Sequence, residues 1–408
     1  MSRKSSSNRI VVVAAIVVLA PSLQAMPTAA ADWPQWMGPE RTGAVAVPGL
    51  FAGEGAVDLE PEWRRSLSPG YSSVTVANGR AFTLATGEEE DTLVAYDAGS
   101  GRELWRYRLD AVGIEKASST PAVSDGRVFA INGRGKMHAV STRDGAAVWS
   151  RDLRATLGAV PPSYGMATSP LLVDGLVVVL VGGRDDHNLV AFDQETGEIV
   201  WSVFHARRGS YASPAVMTIA GERQIVAPAD DKLYAVRPDD GGLIWSHEGL
   251  GYLDRIPLHL SGDRLFVAQE TRAVMLQVNR SEAGWDTEEL WQTHDLKDSY
   301  SPAVHHQGSI YGFDGSFLTC LDAGTGERGW DREMSTGSLI LVDGHLLVLE
   351  AFSGRLTVVA ARPDKYVERA AVETVTRSAN DGSYASPSYA GGRIFVRGGE
   401  EIVAIAVR

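Results

Sequence analysis

Seven hydroxyl residues hold one place in a repeating pattern: Ser73, Thr120, Ser169, Ser213, Ser301, Ser338 and Ser386, with Ile256 in the eighth place. Each precedes a short apolar run and a glycine turn. Two residues earlier stand Tyr71, Tyr211, Tyr384 and Asp254, while Tyr300 lies one place closer to its proline. If the apolar runs line a common axis, these side chains gather at one mouth of it. The hydroxyls can then hydrogen-bond backbone in the neighbouring unit, helped by the extended geometry imposed on a residue before proline. The same set can also form a polar, aromatic-rimmed mouth that binds a small polyol or a peptide end.

Other residue types with chemical potential are less well arranged. The run Glu88-Glu89-Glu90-Asp91 and the loop Asp185-Asp186-His187 carry metal-ligating atoms. Contiguous acids point in alternating directions, so a solvated rim is the expected role. His305-His306 has the same defect, and no Ser/His/Asp spacing marks a nucleophile. Cys320 is the single cysteine, so no intramolecular disulfide forms and the thiol is expected to pack as a small apolar group.

The units that carry the hydroxyls are defined by a second motif. Ala191-Phe192-Asp193-Gln194-Glu195-Thr196-Gly197 leads to Trp201, and the same spacing of small residue and tryptophan recurs from Ala95 to Trp105, Ala139 to Trp149, Ala235 to Trp245 and Cys320 to Trp330. A repeat of this period means stacked or radially arranged supersecondary units. A fifth unit is stretched by Arg280 to Trp285 yet ends in Trp291, and a seventh, Thr336 to about Val375, has lost its tryptophan. The eighth runs from Tyr384 to Val407 with three strands, and the missing fourth is found at the front, around Trp63. An array with complementary ends closes on itself and so hides its free sheet edges.

The expected fold is therefore all-β: an eight-bladed β-propeller of four-stranded antiparallel blades, closed by the N-terminal strand around Trp63. Seven blades is the alternative if the fifth or seventh unit is miscounted. Trp63, Trp105, Trp149, Trp201, Trp245, Trp291 and Trp330 are expected to lock neighbouring blades by filling the gap between them.

The 408-residue chain carries a formal charge of -13. Its first 31 residues read as a secretory signal: basic Met1 to Arg9, apolar Ile10 to Ala20, and small residues that allow cleavage after Ala31 or, earlier, after Ala25. Eleven apolar residues are too few to span a bilayer, which takes about 20, so no transmembrane segment is expected after cleavage. Without Arg3, Lys4 and Arg9 the chain has 35 basic against 51 acidic residues, which argues against nucleic acid or an anionic membrane as the main partner. No cysteine lies near the cleavage region, so a lipoprotein anchor is not expected. The organisation is 1–31 signal peptide, 32–59 tryptophan-rich arm opening on Trp33-Pro34-Gln35-Trp36, and 60–408 propeller.

The Ala-x-Asp-x-x-Thr/Ser-Gly-x-x-x-Trp pattern resembles the repeat of pyrroloquinoline quinone (PQQ)-type propellers. Ala95, Asp97, Ser100, Gly101 and Trp105 match it, as do Ala191, Asp193, Thr196, Gly197 and Trp201, and Asp322, Thr325, Gly326 and Trp330 with Cys320 in place of alanine. Ser141 and Arg237 replace the aspartate in two units. The resemblance covers about residues 60 to 408 and implies the fold. Its members include quinoprotein alcohol dehydrogenases and the non-catalytic propeller of the outer-membrane β-barrel assembly machinery, which the chain resembles more. The dehydrogenases imply PQQ with calcium, often a vicinal cysteine pair, and in some a haem motif. Neither motif is present, and no residue matches the metal or catalytic positions. The expectation is an exported, monomeric, non-enzymatic scaffold without cofactor, periplasmic or extracellular, that binds an envelope protein. A quinoprotein-like oxidoreductase and a carbohydrate-binding module are the alternatives.

Overall fold

Short apolar runs separated by glycine turns leave each sheet with two apolar faces, and such sheets are stable only when stacked face to face. The computed structural model describes residues 32–51, 57–111, 116–183, 185–204, 209–297, 301–377 and 382–407. They form eight antiparallel sheets of four strands, consecutive in the chain in seven of them, and one of those seven gains a short fifth strand. The third blade is typical: Leu171–Val173, Leu176–Leu180, Leu189–Asp193 and Ile199–Val203, from the axis outwards. The core lies between blades, as where Leu180, Leu189 and Trp201 of the third pack with Ile225, Tyr234 and Val236 of the fourth. The propeller is thus eight-bladed, and the seven-bladed alternative fails. The worn fifth and seventh units each build four strands, Leu258–Leu260 to Gly284–Thr293 and Gly337–Val342 to Glu368–Val372.

The last blade is assembled from both ends of the chain. Leu59–Ser66 is its outer strand and pairs antiparallel with Glu401–Val407. Trp63 stands opposite Ala404 there, and the register shifts beside it. The same pairing with the same shift recurs at Ala95/Trp105, Ala139/Trp149, Ala191/Trp201, Ala235/Trp245, Met275/Trp291 and Cys320/Trp330. The ten-residue spacing is therefore a cross-strand pair. A small residue, or Met275 in the fifth blade, stands opposite the indole, and the bulge re-aims it. In the seventh blade Ala370 takes the tryptophan's place opposite Val358.

The arm begins the described chain and crosses one end of the ring. Trp33 bridges to Val76 of the first blade, the Pro34 carbonyl accepts the Val123 N–H of the second, and Ala44–Val45 adds as a parallel strand to the axial side of Gly337–Val342 in the seventh. Met37 packs in the cluster of Val304 in the sixth. These contacts lie near the turns Asn78-Gly79, Asp125-Gly126 and Asp343-Gly344, so this end of the channel is called the turn side. A segment touching inner strands around the circle must cross the axis. Arg41 extends from it to the third and fourth blades, where its guanidinium donates to the Pro214 carbonyl (2.7 Å), the Ser169 carbonyl (3.1 Å) and the Pro170 carbonyl. The arm is a plug. Residues 1–31, expected from sequence to be a signal peptide, lie outside the described residues.

Candidate functional site

The inner strands begin away from the turn side, and the seven hydroxyl residues are brought together there, at a level the arm reaches only through Arg41, which bonds the Ser169 carbonyl. All seven are buried. The Ser73 N–H donates to Thr120 Oγ1 (3.1 Å), the Thr120 N–H to Ser169 Oγ (3.0 Å), and the Ser169 N–H to Ser213 Oγ (2.9 Å). Further round, Ser301 Oγ accepts the Leu339 N–H (3.3 Å), and Ser338 Oγ donates to the Ala385 carbonyl (3.0 Å). Each of these bonds joins one blade to the next. Inner strands spread around a circle cannot form a continuous ladder, so their backbone donors need side-chain partners. The hydroxyls supply them. Ile256, which cannot, sits in the fifth blade.

The aromatic residues form the rim of this mouth. Tyr71 and Tyr384 meet edge to face with centroids 5.6 Å apart, and Phe352, which sequence reasoning missed, continues the group 6.1 Å from Tyr384. Lys116 Nζ stands 5.2 Å from the Tyr71 ring centre, within cation–π range. Across the mouth the Tyr211 hydroxyl accepts the Tyr164 N–H (3.1 Å), with the rings 6.1 Å apart. Phe352 is 54% and Tyr164 67% exposed. Both lie on loops outside the repeated motif, so no spacing marks them. Asp254 pairs with Arg255 (2.8 Å). Tyr300 lies outside the described residues.

The acidic runs are dispersed. Asp91 is buried and accepts from Thr86 Oγ1 (2.9 Å) and the Gly133 N–H (3.3 Å), while Glu90 pairs with Arg108 (2.8 Å). His187 Nδ1 meets Ser202 Oγ at 2.6 Å, and His305 Nε2 accepts the Gly308 N–H. Among the described residues no three His, Cys, Asp or Glu side chains come together as a metal site. A quinone with its calcium needs oxygen donors, and five of the seven hydroxyls at the mouth, Thr120, Ser169, Ser213, Ser301 and Ser338, are bonded between blades. Burial raises the pKa of the Cys320 thiol, the wrong direction for a nucleophile.

The indoles work away from the mouth. Trp63, Trp105, Trp149, Trp201 and Trp291 each lie on the turn glycine of the following blade: Gly101, Gly145, Gly197, Gly241 and Gly326, where a Cβ would come within 2.5 to 2.9 Å of the ring. The first four also donate Nε1–H to a carbonyl of that blade, from Ala98, Thr142, Gln194 and Pro238. Trp330 donates to the Arg362 carbonyl of the seventh blade. Trp245 differs. The fifth blade has a long hairpin in place of the glycine turn, and the indole donates to Gln224 of its own blade (2.7 Å).

The aspartates of the repeat motif cap the same turns. Asp193 Oδ1 accepts the Glu195 and Thr196 N–H groups and the Thr196 hydroxyl, and these bonds lower its pKa.

Comparison with known proteins agrees with this architecture. The family model described as outer membrane protein assembly factor BamB matches residues 56–157 and 89–330, together about two thirds of the chain. An outer membrane protein assembly factor BamB of Yersinia pestis is 25% identical over 161 residues, 39% of each chain. A quinohemoprotein alcohol dehydrogenase, ADH IIB of Pseudomonas putida, is 30% identical over 132 residues, 30% of this chain and 18% of that one. The matches thus span well under two thirds of these relatives. The crystal structure of BamB from Moraxella catarrhalis superposes with a TM-score of 0.63 at 14% identity, over 86% of this chain and 98% of that one. That likeness is one of fold.

Proposed function

The chain belongs to the family of the outer membrane protein assembly factor BamB, and we propose that it is a non-enzymatic scaffold that binds a protein partner of the cell envelope. In this reading it is a monomer, exported to the periplasm or the cell exterior by its leader, and works without a cofactor. The observation that carries the reading is the contrast between the two ends of the ring. The arm fills the turn side. At the other end five of the seven hydroxyls are committed between blades, and what faces solvent is an aromatic and charged rim on loops that differ from blade to blade. Loops held on rigid strands suit a broad recognition surface, and tyrosine is enriched in such surfaces. We assign partner contact to Tyr71, Tyr211, Tyr384 and Asp254, and rim support to Ser73, Thr120, Ser169, Ser213, Ser301, Ser338 and Ser386.

The similarity to a quinohemoprotein alcohol dehydrogenase favours one competing reading, an oxidoreductase. Titration with PQQ and calcium, followed by absorbance and by dye reduction with alcohols, separates the two. The scaffold reading expects neither stoichiometric uptake nor turnover. Stoichiometric uptake with turnover would overturn it.

A further inference from the structure

The arm leaves a gap in the channel. Between it and the inner strands of the fourth and fifth blades, Ala215–Ile219 and Leu258–Leu260, lies a cavity of about 260 Å³. Side chains alternate along a strand, so Val216, Thr218 and His259 turn to the channel while Ala215, Met217, Leu258 and Leu260 are buried between blades. The arm contributes Glu40, Arg41 and Thr42 to the opposite wall. Glu40 and Thr218 are exposed, so the cavity opens to solvent on their side. Arg223 at the same edge is held by Asp174 in a bidentate pair (3.0 and 2.9 Å).

Two residues of this wall carry buried groups without a partner among the described residues. Arg41 is 4% exposed. Its Nε–H goes to Gln35, its Nη2 to the Ser169 and Pro170 carbonyls, and one Nη1–H to the Pro214 carbonyl, which leaves the second Nη1–H unused. No carboxylate faces this guanidinium, and burial alone lowers its pKa. His259 Nε2 is the other group, buried and without a hydrogen bond. Arg41 also holds φ +54°, a left-handed backbone of the kind that collects at ligand clamps.

We infer that this cavity binds a small monocarboxylic acid, its carboxylate taken by the unused Nη1–H of Arg41 and by His259 Nε2–H, so that the acid ties the arm to the fifth blade. A buried guanidinium without a counter-charge is costly, and a carboxylate both neutralises it and accepts charge-assisted bonds. The volume lies below the roughly 300–1,000 Å³ of sites for drug-sized ligands, so a nucleotide or a polymer is too large. Glu40 at the opening repels a second negative charge, so a monoacid fits better than a dicarboxylate or a phosphate. Burial lowers the pKa of His259 against the pull of Asp263, which leaves the imidazole neutral at pH 7 and able to donate one hydrogen bond. The acid undergoes no reaction. The cavity lies beside the arm and away from the aromatic rim, so the inference does not rest on the scaffold reading.

Calorimetric titration of the full chain with acetate, pyruvate and L-lactate tests it, with the amide of whichever acid binds as the uncharged isostere. Saturable binding of at least one acid is expected, with the amide about tenfold or more weaker. His259→Leu, which leaves the bonds of Arg41 in place, should weaken the acid about tenfold. In the unaltered chain the bound acid should slow amide exchange at Arg41 and Gly43, which donate to the Gly38 and Met37 carbonyls (3.2 and 2.9 Å). Saturable binding of none of the three, equal binding of the amide, full affinity in His259→Leu, or exchange unchanged at those two amides would overturn the inference. Partner capture at the rim is read separately, so failure here leaves the scaffold reading standing.

Discussion

The Trp201 indole rests on Gly241 of the next blade and donates to the Pro238 carbonyl at 2.9 Å. Gly241 has φ +70°, and a Cβ there would sit 2.8 Å from the ring. Two constraints therefore exclude a side chain. Trp201→Ala is expected to cost about 3–5 kcal/mol and Gly241→Ala about 1–3 kcal/mol. The double variant should cost less than the sum, because without the indole only the backbone strain remains. A urea double-mutant cycle measures this, and strict additivity would contradict the joint. Sequence made both residues visible but not their partnership, since tryptophan and glycine occur in every good unit and nothing in the spacing says that they meet across blades. His138 was equally silent. Burial beside the Tyr107 hydroxyl (3.1 Å) lowers its pKa to about 4; Asp110 opposes this and Lys136 adds to it. The unfolded chain takes up a proton as pH falls through about 6.5, and the folded one does not until about 4. Stability should therefore fall with pH across that window, by at most about 1.4 kcal/mol per unit. Thermal melts of His138→Gln should lack this component, and an unchanged pH slope would refute it.

At the scale of elements, the arm is the part that sequence located without placing. Two tryptophans among turn formers indicate an ordered segment, yet no pattern tells which end of the ring it covers or that Arg41 anchors it. Burial lowers the Arg41 pKa to about 9, so it stays charged at neutral pH. The cost of burying it is offset by carbonyl acceptors from two blades and by Gln35 Oε1 at 3.0 Å. Arg41→Ala should cost about 2–4 kcal/mol. It should also speed amide exchange at Trp33 and Val76, which bond each other at 2.8 Å in both directions, while the blade interiors stay protected. Exchange unaltered at those two amides would mean that Arg41 does not hold the plug. The fifth blade's hairpin is a second element whose reason is tertiary. Arg280 stacks on Trp285 at 5.2 Å and pairs with Glu222 of the fourth blade at 3.2 Å, bracing the junction that lacks a glycine joint. In sequence the same residues read only as a stretched turn.

For the whole molecule, the closed ring was legible because its evidence is arithmetic: three strands at one end, one at the other, and Trp63 isolated at the front. Its pairing with Ala404 makes one more copy of the motif, split between the two ends of the chain. The partner face was only half legible. Tyr71, Tyr211 and Tyr384 follow the repeat, whereas Phe352 and Tyr164 come from loops without a pattern. The measurement that bears most directly on the scaffold claim is photocrosslinking in the native envelope, with the reactive group placed at Phe352 or Tyr164 on the hydroxyl side and at Asn78 or Asp125 on the turn side. One defined protein should be captured from Phe352 and Tyr164, less of it in a Tyr211→Ala background, and none from Asn78 or Asp125. Capture from the turn side alone, or from no position, would contradict the account.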